Sequence, residues 1–286
     1  MNQDLKDILT CPICKARLLR GEHSAHSESL ACPACGRGYA VLNGIPDMLP
    51  EKIAGDLSCR DQEWNTWSAK LKNFVRWREM TWNGSSSADN MNAYAADLKE
   101  VFVGFTGLRN SGKKIIDIGC GDGGVRRLLG TCGYYGVDPL LIEGHQYDFS
   151  LVRGVGEYLP FPDGFFDEAI LNQVLDHCNS LDSVLEETVR VVGATGTINV
   201  MQYVSVPASL LSRIYNSLLK GYLSIKGVKC LDTKTRRFDR EGLESFFRAR
   251  FEKVEFFAYS ASQIFIRAGG WKKVEDVGHH SNENVA

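Results

Sequence analysis

The sequence predicts an α/β protein, in which strands and helices alternate, preceded by a small metal-binding module. Residues 113–123 read Lys-Lys-Ile-Ile-Asp-Ile-Gly-Cys-Gly-Asp-Gly, an apolar run that ends in an acid and glycines. This is typical of a buried strand followed by a ligand-binding turn. Residues 134–138 again run from apolar to acidic, about 20 residues later, the spacing at which a carboxylate reaches a bound ribose. Two Cys-x-x-Cys pairs near the start predict the metal-binding module.

Length and composition bound the possible functions. The chain has 286 residues, of which 44% are hydrophobic, enough for a full α/β core and a small second module. Its formal net charge of -2 gives no overall electrostatic case for a nucleic-acid partner. No apolar run approaches the roughly 20 residues of a membrane span, and residues 1–10 are too polar for a signal peptide. We therefore expect a cytoplasmic protein without a transmembrane segment.

The metal-binding module is predicted from four cysteines, which are Cys11, Cys14, Cys32 and Cys35. Two Cys-x-x-Cys pairs separated by a long loop fit a tetrahedral zinc site. A segment of about 40 residues builds little core, so zinc would supply its folding energy. Because four thiolates leave no open position, we expect the zinc to be structural. His23 and His26 lie in the polar loop between the pairs and are expected to be solvated.

The α/β part resembles the class I S-adenosylmethionine-dependent methyltransferases of the small-molecule type. Asp117, two residues before Gly119, gives their motif Asp-x-Gly-x-Gly-x-Gly. A carboxylate there suits a cationic, amino-acid-bearing cofactor better than a pyrophosphate. Residues 157–167, 186–192 and 196–200 also resemble this family. The resemblance implies a Rossmann-like seven-stranded mixed sheet with one antiparallel strand, flanked by helices, and S-adenosylmethionine as the cofactor.

The same resemblance implies a set of cofactor-binding residues at the ends of the strands. They are Asp117, Gly119, Cys120, Gly121, Asp138, Gly156, Glu157 and Asn172. Asp117 would lie by the methionine end of the cofactor, and Asp138 would reach the ribose. The loop over 154–161 would lie along the adenine. An aspartate often stands where this chain has Val155, so contacts through the backbone of the next two residues are expected instead.

Two residues after the fourth predicted strand are candidates for catalysis. The strand over 167–171 ends at Asn172 and Gln173, and ligands of open α/β sheets bind at such carboxyl ends, so both are expected to face the methyl group or its acceptor. His177 could take a proton from a hydroxyl or amine, although a local hydrogen-bonding role is as common. Methyl transfer from a sulfonium needs alignment more than acid or base help. A missing base would therefore not argue against activity.

The remaining elements follow from apolar spacing. Residues 181–192 are predicted to form an amphipathic helix with Glu186 and Glu187 on a solvated face. A helix over 239–251 and a hairpin of two strands would complete the sheet, with Trp271 packing back on it. A helix over 89–105 would precede the first strand and help to cover the cofactor, with Tyr94 as a candidate lid residue.

The amino-terminal module also has a family resemblance. Residues 9–49, including Gly-Ile-Pro at 44–46, resemble the small zinc-ribbon protein that activates certain tRNA and protein methyltransferases, and its bacterial relatives. An activator-like module would then share a chain with an enzyme. The predicted domains are a zinc ribbon over 1–50, a helical linker or lid region over 51–110, a methyltransferase domain over 111–270, and a disordered tail over 271–286.

The substrate class stays open at this point. The pattern around Leu159-Pro-Phe-Pro resembles small-molecule enzymes, which favours an oxygen or nitrogen acceptor on a small, lipid-linked or sugar-linked biosynthetic substrate. Residues 220–240 carry seven basic against two acidic side chains, so ribosomal or transfer RNA is the alternative, and a solvated loop is the plain explanation. A catalytically idle binding module is the third candidate. An apolar stripe over 209–223 predicts a helix suited to the core or to a homodimer interface.

Overall fold

The computed structural model describes residues 3–21, 28–50, 86–141, 145–206 and 236–272, with the backbone alone for 86–95. Several predictions fall outside this part of the chain. They concern His23, His26, the side chain of Tyr94, the linker before residue 86, the helix over 209–223, most of the basic stretch, and the tail beyond residue 272. Among the described helices, none combines the length and apolar character needed to cross a membrane.

The amino-terminal module is a short helix followed by a four-stranded antiparallel sheet in the order β1-β2-β3-β4. Its elements are α1 (Gln3–Ile8), β1 (Leu19–Arg20), β2 (Glu28–Ala31), β3 (Gly38–Leu42) and β4 (Ile45–Pro46). The two Cys-x-x-Cys pairs stand in turns at the start of this sheet and between β2 and β3.

The second module is a seven-stranded sheet with helices on both sides. Its strands are β5 (Lys114–Ile118), β6 (Gly133–Asp138), β7 (Ser150–Arg153), β8 (Glu168–Asn172), β9 (Thr197–Tyr203), β10 (Phe251–Ala258) and β11 (Gln263–Trp271). Its helices are α2 (Ser86–Thr106), α3 (Arg126–Leu129), α4 (Leu181–Val192) and α5 (Arg240–Arg250), with a 3-10 turn at Gly156–Tyr158.

The order of the large sheet is β10-β11-β9-β8-β5-β6-β7, and only β11 runs antiparallel to its two neighbours. This confirms the predicted seven-stranded mixed sheet. The chain order reverses between β5 and β8, which are parallel neighbours. Ligands of open α/β sheets bind outside the carboxyl ends of the strands at such a switch point. The fold therefore places the candidate site where β5, β6 and β8 end.

Alternate residues of each strand point to opposite sides of the large sheet, and an apolar cluster buries each face. Ile116 and Ile118 of β5 pack on the α4 side, in a cluster with Val184 and Phe247. Ile115 packs on the α2 side, in a second cluster that lies under α2 and α3 and includes Leu98, Phe102, Leu129, Tyr134, Ile170, Met201 and Phe265. By the same alternation, Asp117 shares the α2 face.

The amino-terminal module covers the free edge of the large sheet. Asp47, just after β4, forms a parallel bridge with Arg153 of the edge strand β7. The Met48 amide donates to the Arg153 carbonyl at 2.7 Å, and the Arg153 guanidinium donates to Asp47 Oδ2 at 2.6 Å. Leu9 and Met48 belong to the same hydrophobic cluster as Phe161 of the large module. The amino-terminal module therefore covers the carboxyl end of this edge strand.

A second contact joins the first cysteine turn to α4 through Glu187. Lys15 directly follows Cys14 and donates from Nζ to Glu187 Oε2 at 2.6 Å. The same oxygen accepts the Leu159 amide at 2.9 Å, and Arg190 donates to the Leu159 carbonyl at 3.0 Å. Burial raises the pKa of Glu187, but the hydrogen bonds from Arg190 and Lys15 outweigh it and lower the pKa.

The prediction of a solvated face is therefore wrong for Glu187, whose side chain is 15% exposed. The other module rather than water lies over it, which the helical spacing of α4 does not reveal. Glu186, the preceding residue, is exposed as predicted.

We expect Glu187→Ala to destabilise the protein by on the order of 1–3 kcal/mol, because it leaves the half-buried Lys15 ammonium and the Leu159 amide without their acceptor. Glu186→Ala, on the same helix but exposed, should stay within about 0.5 kcal/mol of the parent. Urea unfolding midpoints measure both. Equal effects of the two substitutions would show that Glu187 does not join the modules.

Candidate functional site

The site is built around the turn that follows β5. Gly119, Gly121 and Gly123 have φ values of 74°, 56° and 74°, the left-handed region that favours glycine. A Cβ on Gly119 would lie 2.3 Å from Val174 Cγ2, so no larger residue fits there. Cys120 turns its thiol inward against Gly136, and burial raises its pKa well above the usual range. The turn therefore presents backbone rather than side chains.

Asp117 is a buried acid at the centre of this site. It is 1% exposed, and Tyr134 of β6 donates its hydroxyl to Asp117 Oδ2 at 2.5 Å. Within the described part of the chain, Oδ1 has no hydrogen-bond partner. Burial raises the pKa of Asp117 to about 7, although the bond from Tyr134 lowers it. A buried carboxylate oxygen without a partner is suited to a cationic group of a ligand.

Asp138 joins the glycine turn to the end of β6. Its Oδ2 accepts the Gly121 amide at 2.8 Å, and its Oδ1 accepts the Leu140 amide at 2.8 Å. An ionised carboxylate has about four lone-pair sites, so it can accept hydroxyl groups as well as amides. The two acids predicted to bind the cofactor therefore flank one turn.

An apolar cluster lies beside Asp138 at the end of β7. Val155 is 3% exposed and packs with the partly buried Leu49, Leu140 and Tyr158. The Gly154 amide donates to the Asp138 carbonyl at 3.1 Å, which holds this loop next to the acid. Leu49 comes from the amino-terminal module. Sequence patterns predicted no role for Leu49, because its place depends on how the two modules dock.

Gly156 and Glu157 face the core rather than the site. A Cβ on Gly156 would lie 3.0 Å from Ile118 Cγ2. Glu157 Oε1 accepts the amides of Asn179 and Ser180 at 2.8 and 3.2 Å, just before α4, and burial raises its pKa. Only the backbone of these two residues remains for the predicted cofactor contacts.

Asn172 and Gln173, at the end of β8, differ in their hydrogen bonds. Asn172 carries a buried Oδ1 that has no hydrogen-bond partner among the described residues. Gln173 has a φ of 58° and donates from Nε2 to Gln263 Oε1 at 2.8 Å, while its Oε1 accepts the Tyr203 amide at 3.0 Å. Gln173 therefore ties β8 to its neighbours, contrary to the expectation that it faces the methyl group. Asn172 stays a candidate.

His177 lies in the turn after β8. Its amide donates to the Val174 carbonyl at 2.8 Å, and its Nε2 is 3.8 Å from Oδ1 of the buried Asp176. This position is compatible with a local structural role and with proton transfer. Its part in catalysis remains a prediction.

The four predicted metal ligands come together at one point. Their Sγ atoms all lie within 4.8 Å of one another, with 3.7 Å between Cys11 and Cys35 and 3.4 Å between Cys14 and Cys32. Tetrahedral zinc with Zn–S bonds of about 2.3 Å separates its sulfurs by about 3.8 Å, so the residues fit this ion. Hydrogen bonds from Arg37 lower the pKa of Cys35 to about 6, towards the thiolate that binds metal.

Family comparisons agree with both modules. Residues 116–200 match the family model of a methyltransferase domain, and residues 2–44 match that of Trm112p-like protein. Both resemblances predicted from the sequence are confirmed. The domain boundaries themselves remain predictions.

Two curated relatives extend this finding. The ubiquinone/menaquinone biosynthesis C-methyltransferase UbiE of Pseudomonas paraeruginosa is 28% identical over an alignment of 145 residues, which covers 45% of this chain and 56% of that protein. UbiE of Pseudomonas putida (strain GB-1) is 24% identical over an alignment of 198 residues, which covers 60% of this chain and 77% of that protein. The chain thus spans little more than half the length of the first relatives it matches.

A solved structure supports the fold. The 1,6-didemethyltoxoflavin-N1-methyltransferase of Burkholderia thailandensis, bound to its substrate and S-adenosylhomocysteine, superposes with a TM-score of 0.51 at 13% identity. The match covers 88% of this chain and 99% of that one.

We expect Cys14→Ser to lower the zinc content of the purified protein and to unfold residues 9–49, because metal binding supplies the folding energy of so small a module. Plasma emission spectrometry measures the metal, and hydrogen exchange reports the unfolding. Cys132→Ser, outside the cysteine cluster, is the matched control. Unchanged zinc content in Cys14→Ser would refute the site.

Proposed function

We propose that this chain, in which a Trm112p-like domain precedes a methyltransferase domain, transfers a methyl group from S-adenosylmethionine to a small-molecule acceptor. One observation carries the proposal. Asp117 presents a buried carboxylate oxygen that no other described residue hydrogen-bonds, beside a left-handed glycine turn at the switch point of the sheet. This arrangement suits the ammonium group of an amino-acid-bearing cofactor.

The chain offers a binding group for each part of this cofactor. Asp117 would accept its ammonium, the backbone of the glycine turn would lie along its chain, and Asp138 would accept the ribose hydroxyls. The apolar cluster beside Asp138 would pack on the adenine, with members Leu49, Leu140, Val155 and Tyr158. When bound, the cofactor supplies a methyl group on a sulfonium, an already activated leaving group.

The contribution of the protein to the reaction is then mainly alignment. Asn172, at the carboxyl end of β8, would orient the methyl group or its acceptor through its buried amide oxygen. His177 would take a proton from acceptors that must lose one. Holding two reactants in line for displacement is itself worth several orders of magnitude in rate.

The proposed class of acceptor is supported by the names of similar proteins rather than by the geometry. The UbiE relatives are named as C-methyltransferases of quinone biosynthesis, and the Burkholderia thailandensis enzyme is named as an N1-methyltransferase. Both names refer to small molecules rather than to macromolecules. We therefore propose carbon as a third type of acceptor atom, in addition to the oxygen and nitrogen that the sequence predicts.

The zinc site is proposed to be structural. All four ligands are cysteines, which leaves no open position for a substrate or a water molecule. Its role in the enzyme would be to shape the turn from which Lys15 reaches Glu187.

We expect micromolar binding of S-adenosylmethionine to the full chain, and a loss of at least about tenfold in Asp138→Ala, which removes the acceptor for the ribose hydroxyls. Isothermal titration calorimetry measures both. Asp182→Ala, an exposed acid of α4, is the control. Absence of binding by folded, zinc-loaded protein would refute the proposal.

Turnover should occur with small ring acceptors and should change little with salt, because no basic surface is needed for them. Methyl transfer is followed as S-adenosylhomocysteine release, with small quinol-like and heterocyclic acceptors tested against bulk RNA. If RNA is the substrate instead, its affinity should fall steeply with salt, and replacing both Arg236 and Arg237 by alanine should flatten that slope.

A further inference from the structure

The inference concerns Tyr134, and it rests on the proposed function. We propose that Tyr134 is a positioning residue for the cofactor: its hydroxyl holds Oδ2 of Asp117, so that Oδ1 alone faces the ammonium group. Neither the sequence motif nor the family matches assign a role to this tyrosine. The evidence is its register, its packing and the charges around Asp117.

The register of β5 and β6 explains how Tyr134 reaches the acid. Asp117 of β5 lies beside Gly136 of β6, and Ile115 lies beside Tyr134. Tyr134 therefore stands two residues before Gly136, on the same face of the sheet. Gly136 has no side chain, and a Cβ there would lie 2.7 Å from Phe149. Gly136 thus adds no side chain beside Asp117, and the long side chain of Tyr134 reaches the acid from the preceding position on this face, with a 2.5 Å bond to Oδ2.

Packing fixes the hydroxyl in this position. Tyr134 is buried, and its ring meets that of Phe149 edge to face, with centroids 4.9 Å apart. Phe149 also lies under the glycine turn, because a Cβ on Gly123 would be 2.3 Å from its ring. The bond to Asp117 is thus set before any ligand binds, as preorganisation requires.

The charges around Asp117 make the tyrosine bond matter near neutral pH. Burial raises the pKa of Asp117 to about 7; Tyr134 lowers it, Asp138 and Asp122 raise it, and Lys99 of α2 lowers it. Cys120 also faces this site but stays a neutral thiol, because burial raises its pKa. Only the ionised acid attracts an ammonium group, so cofactor affinity should fall as the pH drops through about 7.

Removing the hydroxyl should move this transition in a defined direction. Tyr134→Phe deletes a hydrogen bond to the ionised form, so the pKa of Asp117 rises and more of the acid is protonated at neutral pH. The midpoint of the affinity profile therefore moves to higher pH. The affinity at neutral pH should fall about tenfold, as expected for a hydrogen bond to a charged group.

The test is calorimetric titration of the full, zinc-loaded chain between about pH 6 and pH 8, the range around the unusual carboxyl pKa. Two ligands are compared: S-adenosylmethionine, and 5′-methylthioadenosine, which lacks the amino-acid group. Tyr134→Phe should weaken the first ligand and leave the second unchanged. Tyr135→Phe, the same substitution on the opposite face of β6, should leave the pH profile unchanged.

A second variant keeps the test independent of folding defects. Asp117→Asn keeps an oxygen for the tyrosine but has no charge to titrate, so its affinity profile should be flat relative to the parent. Equal loss of both ligands in Tyr134→Phe, or an unshifted midpoint, would overturn the inference while leaving the proposed function intact. Absence of S-adenosylmethionine binding by the parent would instead refute the proposed function.

Discussion

The hydrogen bonds of Glu187 are the contact on which the arrangement of the two modules depends. Its carboxylate accepts hydrogen bonds from Lys15 in the first cysteine turn and from Leu159 and Arg190 in the large module. Leu159 ends the loop that starts at Val155, so the turn that carries Cys11 and Cys14 is fixed relative to the wall proposed for the adenine. Hydrogen bonds through Glu187 therefore link the four-cysteine cluster to the loop at the proposed cofactor site, although Cys14 and Leu159 are far apart in the sequence.

Asp117, in contrast to Glu187, lowers the stability of the folded protein. A buried carboxylate in which one oxygen has no partner among the described residues is unfavourable by about 1–3 kcal/mol or more, and the apolar clusters on both faces of the sheet offset this cost. Such a cost is common where a protein holds a group ready for a ligand. Tyr134 limits the cost by satisfying the second oxygen.

The sequence predicted those features that local patterns encode. Apolar runs, glycines after Asp117 and the spacing of Asp138 located β5, β6 and the turn, and two Cys-x-x-Cys pairs located the metal ligands. Features that depend on docking or register were missed. Glu187 has the helical spacing of a surface residue. The hydrogen bond from Tyr134 to Asp117 depends on the register of β5 and β6, in which Gly136 lies beside Asp117. Gln173 was misassigned because its partners come from β9 and β11.

The bridge between Asp47 and Arg153 has a further consequence because both residues belong to one chain. A separate activator subunit must overcome the loss of translational and rotational freedom each time it associates, and its occupancy varies with its abundance. Here both modules belong to one chain, so that step is intramolecular. Hydrogen bonds and two salt bridges, Asp47–Arg153 and Lys15–Glu187, can then keep the modules together in a fixed ratio of one to one, whatever the amount of protein in the cell.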